Sequence, residues 1–185
     1  PEPMRTRLTR LAARIDQSFC TLPHALPGGQ GFAVVVRPET ADRADVLTPM
    51  WDASTGGHAT TSAVAMMCVS RYENTGNVAY RQLVVAAADA YRQSLPADSV
   101  DVWPMTFGHA ISTEVAAFRY TARADYLSRA TELAGIAVHR FFGDSPLPRA
   151  SLNRDHYESV TGADTLALAL AELHLTTRHI TAVRA

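Results

Sequence analysis

The side chains able to do chemistry gather in three short stretches of this chain. The first holds Trp51, Asp52, Ser54, Thr55, His58, Thr60 and Thr61. The second holds Asp101, Trp103, His109 and Ser112, with Glu114 further along an otherwise apolar run. The third follows Pro146-Leu147-Pro148 and holds Arg149, Asn153, Arg154, Asp155, His156, Tyr157 and Glu158. His109 or His156 can serve as a general base, and Tyr157 can donate or accept a proton within hydrogen-bond reach. Arg149 can hold a carboxylate through two parallel bonds. Trp51 and Trp103 can stack on the apolar face of a sugar ring while Asp52, His58, Asn153, Asp155 and Glu158 bind its hydroxyls. A lone carboxylate such as Glu114 on an apolar helix must be paired or raised in pKa.

Each of these residues also has a plainer use. His58 and His109 can cap helices or bond buried backbone groups, and a Trp in a long loop can pin that loop to the core. Arg119 or Arg149 would make Glu114 a structural ion pair.

The tripeptide Gly57-His58-Ala59 returns as Gly108-His109-Ala110, each copy preceded by a Trp and read as the start of an apolar helix, with His156 roughly 50 residues further on. That interval suits a pair of helices. Leu8, Leu11, Ala12, Ile15 and Phe19 recur at helical spacing and predict an amphipathic helix over Met4 to Cys20, its arginines outward. Pro23, Pro27, Gly28, Gly29 and Gly31 then open a long connection, 21–57, in which Phe32 to Val36 can form a short strand. Connections this long are usually functional.

Helices are then predicted over Ala59 to Val69, Val78 to Tyr91, Ala110 to Tyr120, a stripe from Tyr126 to Phe141, and Ala163 to Leu175. Those apolar on every side must be covered on every side, whereas striped ones, with Asp125, Arg129, Glu132 and Arg140 on the polar face of one, can meet water. Apolar and striped helices alternate, which predicts an all-α fold: an α/α toroid-like array of helical hairpins, inner helices parallel, with their N-termini and the three polar stretches at one end. Helix N-termini there favour anions.

At 185 residues and 47% hydrophobic, the chain has the size and apolar content of a single globular domain over 1–185. Seventeen basic and eighteen acidic residues leave a net charge of −1 without any dense Lys/Arg run, which argues against nucleic acid as a partner. No apolar stretch reaches the roughly 20 residues of a membrane span, so no membrane is expected. Cys20 and Cys68 read as two free thiols on separate helices. Phosphate-loop, nucleophile-elbow and dinucleotide patterns are missing, as are the paired His or Cys spacings of zinc sites, so no metal and no cofactor is expected.

The alternating helices, the Trp-bearing loops before Gly-His helices, and the segment FFGDSPLPRASLNRDHYESVTGADTLALALAELH resemble the six-hairpin α/α-toroid carbohydrate-active enzymes, a group of polysaccharide lyases and glycoside hydrolases. The resemblance covers roughly Trp51 to His174 and is architectural. It implies a polysaccharide or oligosaccharide substrate and an extracytoplasmic setting. With three hairpins where a closed toroid needs more, the chain is expected to be the C-terminal part of a larger ring, completed by the remainder.

Cleavage of an acidic polysaccharide by β-elimination is the leading expectation. Arg149, Asn153 or a helix N-terminus would neutralise the uronate carboxylate, His109 or His156 would remove the α-proton, and Tyr157 would protonate the leaving oxygen. One alternative is a glycoside hydrolase using two carboxylates among Asp52, Glu114, Asp155 and Glu158. The other is a non-catalytic α-solenoid binding through its concave face.

Overall fold

A computed structural model describes residues 3–34, 46–52 and 59–184. Among them six α-helices follow one another: α1 (Met4–Cys20), α2 (Thr61–Thr75), α3 (Val78–Tyr91), α4 (Pro104–Thr121), α5 (Ala124–Phe141) and α6 (Ala163–Arg184). Local chemistry explains several starts. The Thr60 hydroxyl accepts from Ala63 N at the head of α2, and Asn77 Oδ1 accepts from Ala79 N at the head of α3. Pro104, whose missing N–H costs nothing at a helix start, opens α4.

Pro104 starts α4 six residues ahead of the expected Ala110, so the two Gly-His-Ala copies are not equivalent. Gly108-His109-Ala110 falls inside the helix, whereas Ala59 precedes the cap of α2. Gly57 and His58 lie outside the described residues.

Helices α2, α4 and α6 run side by side in the same direction. At their first turns, Ser62 Oγ approaches the Thr106 carbonyl at 3.5 Å, and Gly108 of α4 lies against the Thr165 backbone of α6. Further along, the Tyr72 and Tyr120 rings meet at 4.9 Å, and Arg119 pairs with Glu172 at 2.9 Å. Helices α3 and α5 return in the opposite sense: Ser62 N donates to the Tyr91 hydroxyl at 3.1 Å, and the Phe107 and Phe141 rings meet at 5.7 Å. Two hairpins, α2–α3 and α4–α5, with α6 beside α4, therefore make two layers.

Helix α4 is the hub, packed against α2, α3, α5 and α6. Phe107, Ile111 and Val115 of α4 join Trp51, Tyr91, Leu133, Phe141 and Leu166 in the main core. A second cluster holds Leu26, Phe32, Cys68, Val84 and Ala116. Burying each large side chain contributes about 1.5–3 kcal/mol.

Two of the three expected hairpins are present, and among the described residues the array does not close into a toroid. Small residues Gly108, Ala110, Ala116 and Ala117 let neighbours approach α4 closely, and α4 is enclosed. The expected strand at Phe32 to Val36 reduces to an isolated antiparallel bridge between Ala33 and Leu47, with Val34 N donating to Val46 O and Thr48 N to Phe32 O. Val35 and Val36 lie outside the described residues.

Two helices expected to bury their apolar faces leave them open. On α1, Met4, Leu8, Leu11 and Ile15 are each more than half exposed, and only the C-terminal end engages the body. There Phe19 stacks on Phe32 and Tyr80, and Asp16 accepts from Arg71 and Tyr80. On α6, Leu168 is 71% and Leu175 65% exposed, because α6 packs chiefly against α4 and touches α5 little. No helix of the described residues is long and apolar enough to cross a membrane.

Candidate functional site

The third polar stretch owes its shape to the connection between α5 and α6. Arg149 N donates to Phe141 O at 3.0 Å, which folds the chain back over the end of α5. Buried Ala150 and Ser151 then anchor the loop: Ala150 N donates to His156 O, and Leu152 N to Val102 O at 3.0 Å. Asn153 N donates to Asp101 Oδ1 at 3.2 Å and to Ser151 Oγ at 3.3 Å, so the second and third polar stretches lie side by side. The exit into α6 is set by Gly162, at φ 76°, where a Cβ would lie 2.4 Å from that of Met105. Only glycine tolerates both conditions.

Between this loop and the end of α5 opens a cleft of about 400 Å³, lined by Phe141, Asp144, Ser145, Arg149, Asp155, His156 and Tyr157 among others. Arg149 Nη2 lies 3.2 Å from Asp155 Oδ1. His156 Nε2 donates to Glu158 Oε1 at 2.6 Å, and Arg154 Nη1 approaches the same oxygen at 3.7 Å. Tyr157 is 46% exposed. Because Glu158 can only accept while ionised, it holds the proton of a neutral imidazole on Nε2 and leaves Nδ1 as the basic nitrogen. A cation, a base with an assigned tautomer and a phenol thus share one cleft.

The other expected site residues sit elsewhere. Trp51 is 5% exposed; its Nε1 donates to Ser94 Oγ at 2.8 Å, and its ring meets Tyr91 edge-on at 5.0 Å and Phe107 at 4.9 Å. It belongs to the core. Through Phe107 and Phe141 it connects to the cleft by ring contacts without lining it. Trp103 precedes the first turn of α4, half-buried, its carbonyl accepting from Thr106 N. Asp52 is half-buried beside Trp51, and Asn153 is exposed at the loop tip. His58, with Ser54 and Thr55, lies outside the described residues.

His109 is half-buried on α4, outside the residues that line the cleft, and desolvation holds its imidazole below the usual pKa. Glu114 is fully buried. It stands on the face of α4 opposite Ser112, which turns to α6 and donates to Glu172 at 2.8 Å. Neither Glu114 oxygen has a hydrogen-bond partner, and desolvation pushes its carboxyl up to about 8, opposed by the charges of Arg129 and Arg92. Arg119 and Arg149, its expected partners, bind Glu172 and Asp155 instead.

Arg129 departs from its expected place on the polar face of α5. It is buried, with Nε donating to Tyr91 O and Nη2 to Ser94 O, so it closes the C-terminal end of α3, and Nη1 pairs with Glu132 at 2.7 Å. Helical spacing places Arg129 among polar neighbours, and no local signal marks its target. Asp144 and Ser145 are additional lining residues, readable only as part of the turn after α5. Among the described residues no cluster of three or more His, Cys, Asp and Glu could hold a metal ion. Comparison with protein-family models, with curated proteins and with solved structures finds no match for this chain.

Proposed function

We propose that the cleft beside Phe141 takes a uronate unit of an acidic polysaccharide and that the chain cleaves it by β-elimination. The observation behind this reading is the gathering of Arg149, His156 and Tyr157 in one cleft, with His156 Nε2 bound to Glu158. Arg149 would leave Asp155 for the substrate carboxylate and so acidify the proton on the adjacent carbon. His156 Nδ1 would take that proton. The released electron pair forms the ring double bond and expels the glycosidic oxygen, which takes a proton from Tyr157. A second reading is a helical-hairpin module that binds a glycan without turnover, and the hairpin packing of α2 to α6 supports it; the burial of Trp51 takes that indole away from the cleft in either reading.

Incubation with a panel of uronate-containing polysaccharides separates these. An unsaturated product absorbing ultraviolet light, lost in His156→Ala and Tyr157→Phe, supports elimination. New reducing ends without that absorbance would move the chemistry to a hydrolase pair such as Asp155 and Glu158. Saturable binding without product would establish the module.

A further inference from the structure

Helix α6 runs for 22 residues, and its outer face carries Asp164, Leu168, Ala171, Leu175 and Arg178, all exposed. The spacing of four, three, four and three places these five in one stripe along the helix. Two large leucines more than 60% exposed on one stripe leave contiguous apolar surface that water disfavours. The stripe is also close to symmetric about its centre, with the charged ends seven residues away on each side and the leucines three and four. Ala171 stands in the middle, a leucine lies on either side, and the ends carry opposite charges, Asp164 on one and Arg178 on the other.

We propose that this face of α6 docks a second copy of the chain, the two α6 helices packed antiparallel about Ala171. A two-fold contact must be self-complementary, residue i meeting j and j meeting i on the partner copy. The antiparallel pairing satisfies this at the centre and both ends of the stripe, and at the leucines to within one residue. Ala171 faces its own counterpart and lets the axes approach closely. Leu168 packs against Leu175 of the other copy, and Leu175 against its Leu168. Asp164 meets Arg178 at both ends of the contact, so two ion pairs fix the direction. A parallel pairing would set Asp164 against Asp164 and Arg178 against Arg178, like charge on like. Glu172 does not interfere, because Ser112 and Arg119 already hold it on the α4 side.

Sedimentation equilibrium at roughly 100 μM tests the pairing at a concentration where even a weak contact is populated. The expected mass is twice the 20.0 kDa of the chain. Leu168→Glu with Leu175→Glu should return a single-chain mass with unchanged far-ultraviolet circular dichroism. Asp164→Arg should weaken association roughly tenfold at low salt, and adding Arg178→Asp should restore it. These two exposed positions keep the proposal testable should the leucine variant unfold. A wild-type chain of single mass, a dimer that survives the leucine variant, a charge swap that fails to restore, or growth beyond two copies would each overturn it.

Discussion

His156 Nε2 and Glu158 Oε1 stand 2.6 Å apart, two residues from one another in sequence. The pairing holds the ring and chooses its tautomer. For the proposed elimination, His156→Ala should lower kcat by at least about 100-fold, the usual contribution of a positioned base. Glu158→Gln can accept through its amide oxygen and should cost kcat less than Glu158→Ala, with KM little changed in either. Rates of unsaturated-product formation check this order, and equal losses in both Glu158 variants would remove the tautomer role.

Glu114 makes stability depend on pH in a particular direction. Its carboxyl is raised from the usual 4.5 to about 8 by burial, so the folded state favours the protonated form. The stabilisation is fully present below about pH 4.5 and is lost as pH rises through about 8. Glu114→Gln removes that titration. The variant should gain on the wild type with increasing pH, by on the order of a few kcal/mol in total. Urea melts of both proteins at pH 5, 7 and 9 measure the difference, which must grow with pH. The same stability difference at all three values would mean that Glu114 finds a partner in solution.

Gly108 and Gly135 make opposite predictions for the same substitution. A Cβ on Gly108 would lie 2.8 Å from the carbonyl carbon and oxygen of Thr165, backbone atoms that cannot rotate away. Gly108→Ala should therefore push α6 off α4 and cost about 1–3 kcal/mol. Gly135, inside α5, has nothing within 4 Å of such a Cβ. Gly135→Ala should stabilise by roughly 0.5–1 kcal/mol through helix propensity and unfolded-state entropy. Thermal melts of the pair should move in opposite directions.

Arg129 is buried with both arms on carbonyls at the end of α3. Arg129→Met keeps much of the bulk but leaves Tyr91 O and Ser94 O without their donor and removes the positive charge that acts most strongly on Glu114. A loss of about 2–4 kcal/mol is expected. Glu132→Ala, which removes only the exposed end of the same network, should cost under about 1 kcal/mol. Chemical denaturation distinguishes them, and comparable costs would place the energy in the ion pair instead of the carbonyl cap.

Helix identity was legible because it is written in neighbours. The stripe of Leu8, Leu11 and Ile15 and the cap at Asn77 operate within one or two turns, and the predicted spans of α1 and α3 coincide with those observed. The grouping of Arg149, Asp155, His156 and Tyr157 was legible for the same reason, since nine residues of loop carry all four. The start of α4 was displaced by Pro104, whose fixed φ outweighed the apparent repeat at Gly108.

The all-helical character, the hairpin order and the composition of the cleft's main wall therefore came from the sequence by itself, through periodicity, capping and proximity along the chain. Tertiary packing alone decided that Trp51 enters the core, that Arg129 turns inward to α3, that Glu114 goes unpaired, and that α1 and α6 keep their apolar faces uncovered. Each of these depends on which surface a distant helix presents at a given place. A residue's own periodicity says which face of its helix it occupies, and carries no information about what will stand opposite.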